Sequence, residues 1–389
     1  MEIRQTILQG IDAAADQLIG LARRIHATPE IAFQELKASQ WLSDTLESHR
    51  FAVQRGIADL PTAFRAEVSG GPGGPSVAFL AEYDALPEIG HACGHNLICT
   101  AALGAGIGLA AVASKLAGKV LVLGTPAEEG GGGKVLMLQR GAFAGIDAAL
   151  MFHPADYTLT ARSSLASYRL KVKFLGKAAH AAAAPYEGIN ALDGLVQMFV
   201  NIGLLRQQLR DDARVHGIIT YGGAAPNIIP DRAEAAFSVR AADSAYAAAV
   251  LEKVINCGRA GAAATGATFE HETQKGYDAM KPNRPLADAF GRHLQELGWA
   301  VDLPPQRPRM GSTDMGDISQ VIPSVHPYLA IGKGVVGHSV GFREAALSEQ
   351  GFQAMLTAAK AMALTGLDVM TKPEFLEQVR ADFSSGAQR

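Results

Sequence analysis

Hydrophobic residues recur along the chain with two different periods, and these periods predict its elements. Residues 7–25 carry apolar side chains three or four positions apart, which predicts an amphipathic helix. The glycine- and proline-rich residues 70–75 predict a turn or loop. The apolar runs 77–81, 120–123 and 148–152 lack polar alternation and are separated by helical patterns. Such runs are typical of a parallel sheet that is buried on both faces.

The pattern changes near residue 164. Residues 167–174 alternate polar and apolar side chains, as a strand with one solvent-facing side does. The following segments read strand, helix, strand, strand, helix, strand when 167–174 is counted first, which is the order of a small α+β domain. We therefore predict an α/β fold with a mostly parallel sheet, built from residues 1–164 and 282–389, and an inserted βαββαβ domain at 165–281.

The composition indicates a globular protein, because 48% of the 389 residues are hydrophobic and only 19% are charged. A formal net charge of -3 leaves no excess of basic residues to neutralise a nucleic-acid backbone. Three cysteines cannot form a disulfide framework, and no apolar signal segment follows Met1. We expect a cytoplasmic protein that binds neither nucleic acid nor membranes.

One uncharged stretch of 18 residues, 97–114, has about the minimum length of a membrane span. It consists mostly of alanine and glycine, whose transfer into lipid is less favourable than that of leucine or isoleucine. We expect a buried helix of a soluble protein. Membrane association is the alternative, and a purified chain that needs detergent would support it.

Side chains that bind metals follow the carboxyl ends of the apolar runs, where open α/β sheets form their sites. Imidazole, thiolate and carboxylate donors together suit zinc or manganese better than magnesium or calcium. The sequence predicts a metal site at this edge from five residues: Cys93, His95, Glu129, His153 and His338.

The adjacent carboxylates Glu128 and Glu129 indicate hydrolysis. In a turn they project differently, so one can hold a metal while its neighbour takes and returns a proton of the attacking water. A solvated acidic turn is the other interpretation. The glycines that follow, with Lys134, do not form a phosphate-binding loop, because the first glycine and the hydroxyl residue after the lysine of that motif are missing.

Five short motifs occur in order along nearly the whole chain: Arg-Arg-Ile-His-Ala-Thr-Pro-Glu at 23–30, Asp-Ala-Leu-Pro at 84–87, His-Ala-Cys-Gly-His at 91–95, Pro-Ala-Glu-Glu-Gly at 126–130 and Gly-His-Ser at 337–339. Together they resemble the aminoacylase/carboxypeptidase-type metallo-amidohydrolases. The closest resemblance is to the subgroup that hydrolyses aminobenzoyl-glutamate, auxin conjugates and dipeptides. The resemblance implies a catalytic domain with two metal ions, an inserted dimerisation or lid domain, and hydrolysis of an amide bond next to a free carboxylate.

The resemblance also implies a role for each matching residue. In the catalytic domain, Cys93 would bridge the two metals, and the remaining ligands would be His95, Glu129, His153 and His338. Glu128 would be the general base and acid, and Asp84 would hold a ligand in orientation.

In the inserted domain, His180 resembles a family histidine that reaches the partner's active site and stabilises the oxyanion. Asn227 and Arg240 resemble positions that contact the substrate, and the arginine suits a carboxylate. Two positions depart from the family pattern. Glu82 stands two residues before Asp84, where many members have histidine, and Asn96 follows His95, where aspartate is frequent.

The resulting hypothesis is a homodimeric, metal-dependent amidohydrolase with two zinc or manganese ions. Its small-molecule substrate would be an N-acyl amino acid, an aryl-amide conjugate of an amino acid, or a dipeptide. One alternative is hydrolysis of another C–N bond, in an aryl amine or amidine. The other is a non-catalytic metal-binding sensor on the same fold, which would predict the loss of Glu128 or of a ligand.

Overall fold

The computed structural model describes residues 2–304 and 310–385. Internal contacts divide these residues into two units. The first comprises 2–162, 281–304 and 317–385, and the second comprises Ser163–Met280 with Met310–Gly316. The sequence predicted domain boundaries at 164 and 281, but it assigned Met310–Gly316 to the first unit.

The helices and strands alternate along the first part of the chain. In chain order they are α1 (Glu2–Ala13), α2 (Ala15–His26), α3 (Leu36–Ser48), β1 (Ala52–Arg55), β2 (Phe64–Ser69), β3 (Gly71–Ala81), α4 (His95–Ala110), β4 (Ala117–Gly124), α5 (Gly133–Gln139), β5 (Ala148–Leu150) and β6 (His153–Ala155).

The middle part follows the predicted strand and helix order. Its elements are β7 (Ala166–Leu175), α6 (Ala191–Leu205), β8 (Arg214–Tyr221), β9 (Arg232–Ala241), α7 (Ser244–Thr265) and β10 (Thr268–Lys275).

The last part returns mainly to the first unit and is mostly helical. Its elements are α8 (Arg284–Glu296), α9 (Met315–Val321), β11 (Ser324–Val325), β12 (Tyr328–Ala330), α10 (Val340–Ala345), α11 (Glu349–Thr371) and α12 (Pro373–Ser385).

A six-stranded sheet in the order β1-β2-β4-β3-β5-β11 forms the centre of the first unit. The three apolar runs lie in β3, β4 and β5, which are parallel neighbours, as predicted. Strands β1 and β2 add an antiparallel edge, so the sheet is mixed. A separate parallel ladder joins β6 to β12. The carboxyl ends of β3 and β4 therefore lie side by side, and the loops that leave them carry the candidate site.

The uncharged stretch forms the interior helix of this unit. All residues of α4 except Ala110 are buried, and the helix packs against α11, α2 and α1. Glycine and alanine allow this close packing: a Cβ at Gly104 would lie 3.0 Å from Cβ of Ala359 on α11. In the described part of the chain, no helix has the length and apolar character needed to cross a membrane.

Three predictions about elements were wrong in detail. The first amphipathic helix is interrupted at Ala14 and forms α1 and α2. Residues 71–75 belong to β3 rather than to a loop: Gly71 pairs with Ala117, and regular pairing resumes at Ser76 after an irregularity. These residues are largely exposed, which allows an irregular extended segment with glycine and proline. The closing helix α11 continues to Thr371, and α12 was not predicted.

The second unit is an antiparallel sheet covered by two helices. The strand order is β10-β7-β9-β8. Leu170, Val172 and Phe174 alternate along β7 with polar residues and form the core together with side chains of α6 and α7. The period of two in the sequence therefore correctly indicated a sheet with one wet face.

Candidate metal centre and active site

Cys93 and His95 lie at the start of α4, after the loop that follows β3. Gly94 separates them with a φ of 79°, a left-handed conformation that glycine adopts without strain. A Cβ at Gly94 would lie only 2.6 Å from Cγ of Pro154. This turn lets side chains from positions 93 and 95 share one site, and their donor atoms lie within 4.8 Å of each other.

Asp84 connects two of the predicted ligands. Its Oδ1 lies 3.0 Å from Nδ1 of His95, and its Oδ2 accepts a 2.9 Å hydrogen bond from the backbone N–H of Glu129. Burial opposes ionisation, but His95 and this N–H group lower the pKa of Asp84 below its usual value. The ionised carboxylate assigns the proton of His95 to Nδ1 and leaves the Nε2 lone pair for the site.

Glu128 and Glu129 follow β4 in a tight turn in which Ala127 has a φ of 61°. Both side chains are partly buried. A carboxylate oxygen of each lies within 4.8 Å of a ring nitrogen of His95 and of the other carboxylate. The two adjacent acids therefore face the same site, which argues against a solvated acidic turn.

His153 and His338 approach this site from other elements. Nε2 of His153 lies 3.4 Å from Sγ of Cys93, and its Nδ1 donates to the carbonyl oxygen of Pro154 at 2.7 Å. Nε2 of His338 lies 3.3 Å from Oε1 of Glu129, and 54% of the His338 side chain is exposed. The sequence placed His153 directly after a strand of the main sheet, whereas it begins β6 of the separate ladder.

The structure thus brings all five predicted ligands and Glu128 together. Their donor atoms form three overlapping groups, each within 4.8 Å: Cys93 with His95 and His153, Cys93 with Glu129 and His338, and His95 with Glu128 and Glu129. Cys93 belongs to two of these groups, which is the position that a bridging ligand requires.

The chemistry of these residues fits a divalent transition metal. Nε2 of His95 is buried without a hydrogen-bond partner, a costly state that a cation would relieve. Burial lowers the pKa of His153 to about 3, so the ring is neutral, as metal binding requires. Burial also raises the pKa of the Cys93 thiol well above its usual value, so a thiolate at this position needs a cation beside it.

The comparison with known proteins decides the family. The model of peptidase family M20/M25/M40 matches residues 78–364. The chain belongs to this family. It is 41% identical to Xaa-Arg dipeptidase of Mus musculus, over 99% of this chain and 93% of that protein. It is 34% identical to a p-aminobenzoyl-glutamate hydrolase protein of Escherichia coli K12, over 76% of this chain and 66% of that protein.

Solved structures agree with this membership. A dinuclear metal binding peptidase of the M20 family from Bacillus subtilis superposes with a TM-score of 0.75 at 22% identity, covering 92% of this chain and 100% of that one. The likeness at this identity shows the shared fold. The predicted family, the fold class and the metal-dependent hydrolysis of amide bonds are therefore confirmed for this M20 peptidase.

The remaining predicted residues of this M20 peptidase lie in its second unit. His180 and Asn227 lie on neighbouring segments, because the N–H of Ala181 donates to the carbonyl oxygen of Asn227 at 3.0 Å. Nδ1 of His180 accepts hydrogen bonds from the N–H groups of Ala182 and Ala183, both at 3.2 Å. Its neutral ring therefore carries the proton on Nε2, as a donor. All three predicted residues, His180, Asn227 and Arg240, are exposed within this unit.

Glu35 is a buried residue of the site that sequence reasoning missed. Its Oε1 accepts from the N–H of Ala127 at 2.9 Å and from the N–H of Phe33 at 2.9 Å. Burial raises the pKa of Glu35 to about 7. Glu35 therefore fixes the strained turn that presents Glu128. A glutamate beside the predicted helix gave no sign of this role, because its burial depends on contacts distant in sequence.

An aromatic stack that supports His153 was also missed. Tyr328 on β12 stacks on the imidazole with ring centroids 5.0 Å apart and an angle of 22°. The guanidinium of Arg162 lies 4.2 Å from the centroid of the same tyrosine ring. The pairing of β6 with β12 places Tyr328 directly opposite His153. This stack fixes the ring plane of His153 in addition to its hydrogen bond to Pro154.

Proposed function

We propose that this chain hydrolyses the amide bond of a dipeptide, an N-acyl amino acid or an aryl-amide conjugate of an amino acid. The convergence of Cys93, His95, Glu129, His153 and His338 beside Glu128 carries the proposal. The similarity to Xaa-Arg dipeptidase supports dipeptides, including those that end in a basic residue. The similarity to the p-aminobenzoyl-glutamate hydrolase protein supports aryl-amide conjugates.

We assign the five side chains as ligands of two divalent ions, zinc or manganese, with Cys93 as the bridge. The overlap of two donor groups at Cys93 supports this arrangement. When bound, such ions lower the pKa of water and polarise an amide carbonyl. Asp84 is a positioning residue in this scheme, since it contacts both the ring of His95 and the backbone of Glu129.

Glu128 is the proposed general base and acid. It removes a proton from the attacking water, and it then returns a proton to the leaving amine nitrogen when the C–N bond breaks. Its partly buried position next to Glu129 and within 4.8 Å of His95 supports this role. Because Glu129 is assigned to metal binding, the adjacent acids divide the two tasks.

The proposed substrate contacts lie in the second unit. Nε2–H of His180 is a donor suited to the oxyanion of the tetrahedral intermediate, and the hydrogen bonds that Nδ1 accepts support this tautomer. Arg240 suits the free carboxylate of the substrate, because a guanidinium can donate two parallel hydrogen bonds. Asn227, beside the His180 segment, would contribute amide hydrogen bonds.

A homodimer formed through the second unit is part of the proposal. Strand β8 is at the edge of its sheet and exposes Ile218 and Ile219. Helix α6 exposes Val196, Val200 and Leu204 at intervals of four residues, which is one face of a helix. An unpaired strand edge next to an apolar helix face is well suited to a second copy of the same chain.

We also propose a cytoplasmic location. Its support is the cysteine chemistry: Cys93, Cys99 and Cys257 are all free thiols, and a metal-binding thiolate at position 93 requires a reducing compartment.

A substrate and metal panel tests the proposed activity. We expect the chain loaded with Mn²⁺ or Zn²⁺ to release the carboxyl-terminal amino acid from at least one class among dipeptides, N-acyl amino acids and aminobenzoyl-glutamate. Chelation should abolish this release, and adding the metal back should restore it. The control is the same substrate with its carboxylate converted to an amide, for which we expect kcat/KM to fall by about 10- to 100-fold. A chain that binds metal but hydrolyses none of these substrates would instead support the sensor alternative.

Mixed dimers test whether His180 acts on the partner's site. We expect His180→Ala and Glu128→Gln to be nearly inactive when each is produced alone. When the two are co-expressed, half of the random dimers contain one site with both groups intact, so activity should rise to about a quarter of the wild-type value. Activity that stays at the sum of the two single variants would show that His180 does not act in trans.

A further inference from the structure

Lys134 is a buried charge that the proposed reaction does not use. It is the second residue of α5, at the end of the glycine-rich segment. Its side chain is 0% exposed, and its ammonium donates to Oε1 of Glu82, whose side chain is 1% exposed. Buried lysines are rare because desolvation disfavours the ammonium, so a lysine kept at such a place needs charged partners.

The glycines of this segment explain how Lys134 reaches its position. A Cβ on Gly133 would lie 1.8 Å from the carbonyl oxygen of Pro126, so only glycine lets α5 begin directly against the turn after β4. The glycine-lysine pattern that resembled a phosphate loop is therefore explained by close packing. It places a lysine behind the turn that presents Glu128 and Glu129.

Glu82 lies at the metal centre without being among the predicted ligands. Its Oε2 is 3.6 Å from Nε2 of His95, whereas Oε1 of Glu129, a predicted ligand, is 3.9 Å from the same nitrogen. An oxygen of Glu82 also lies within 4.8 Å of an oxygen of Glu128. By distance alone, Glu82 is as close to the unpartnered lone pair of His95 as Glu129 is.

The difference between the two carboxylates is the lysine. Carboxylates without a competing cation readily coordinate a divalent metal, and each added anionic ligand raises affinity and favours metals that prefer oxygen. Lys134 occupies one oxygen of Glu82 and neutralises its charge. We propose that Lys134 is a positioning residue that keeps Glu82 out of the metal shell, so that the thiolate of Cys93 and the imidazoles determine which metal is bound. This inference rests on the proposed metal site at His95.

Metal affinity measured on the full chain tests this role. The variant Lys134→Met keeps the length of the side chain and removes its charge. We expect its affinity for Mn²⁺, measured by competition with a chelator, to rise at least about tenfold more than its affinity for Zn²⁺, because Glu82 becomes an added oxygen ligand. A charge acting only through space would strengthen both dications by the same factor. An equal rise for both metals, or no rise, would overturn the proposal.

The matched variant Lys134→Met/Glu82→Gln removes both charges and should return the Mn²⁺/Zn²⁺ affinity ratio to that of the wild type. It also decides the question if Lys134→Met alone does not fold. A ratio about tenfold below the wild-type value in this double variant would show that Glu82 is already a ligand. A wild-type chain that binds neither metal would refute the proposed function itself. Metal binding with the wrong ratios would refute only the role of Lys134.

Discussion

Glu128→Gln is expected to lower kcat by about 10²- to 10⁴-fold while the metal content stays near that of the wild type. The amide keeps the size of the side chain and can still hold a water by hydrogen bonding, but it cannot take a proton. Because Glu128 is not among the assigned ligands, its neutralisation leaves the metal donors in place. Steady-state kinetics on the best substrate of the panel, with elemental analysis of the same preparation, measures both quantities.

The neighbouring acid provides the matched control. Glu129→Gln makes the same chemical change one residue away, but Glu129 faces both Cys93 and His338. We expect this variant to lose bound metal, and to lose activity for that reason. If Glu128→Gln retained near wild-type turnover, the base would have to be another group. If both variants lost metal equally, the proposed division of tasks between the two acids would be wrong.

The location of the site could be predicted because it depends on topology. Three apolar runs without alternation indicated parallel strands, and parallel strands bring their carboxyl ends to one edge. Cys93, His95 and Glu129 follow β3 and β4, which are neighbours in the sheet. Local pattern and one general rule were therefore sufficient to bring these donors together. His338 lies outside this rule: it follows β12, in the small ladder, and reaches Glu129 through its own loop.

Residues whose roles depend on burial could not be predicted. In the sequence, Lys134 and Glu82 have the composition of surface charges, and only the tertiary fold shows that both are inaccessible to solvent. Glu35 belongs to the same class, since its contact with the N–H of Ala127 joins positions 92 residues apart. Burial of a polar residue arises from packing between distant segments, and the local periodicity of the chain carries no information about it.

Glycine-rich segments show the same limitation in the backbone. Residues 71–75 have a turn composition but lie in the extended chain of β3, and the glycines near 130–133 resemble a nucleotide loop but allow α5 to pack closely. Glycine indicates that the backbone needs freedom or space at a position. It does not indicate whether a turn, an irregular strand or a close approach uses that freedom.

Cys93→Ala is expected to have the second large effect, a loss of metal rather than of proton transfer. Sγ of Cys93 is the donor shared by two of the three groups, so its removal weakens both proposed ion positions at once. We expect metal affinity to fall by at least about 100-fold, more than for a typical outer-shell change, and hydrolysis to fall with it. Titration of the metal-free chain with Mn²⁺ or Zn²⁺ measures the affinity and the number of ions bound.

Cys93→Asp is the matched control for this loss. A carboxylate at position 93 is anionic, has a similar reach and can bridge two metals through its two oxygens. We therefore expect it to restore two-ion binding and part of the activity, with a shift of preference from Zn²⁺ towards Mn²⁺ because oxygen replaces sulfur. Two-ion binding with wild-type affinity in Cys93→Ala would show that Cys93 does not bridge. A Cys93→Asp variant as defective as the alanine variant would show that the site requires sulfur itself, and not only a bridging anion.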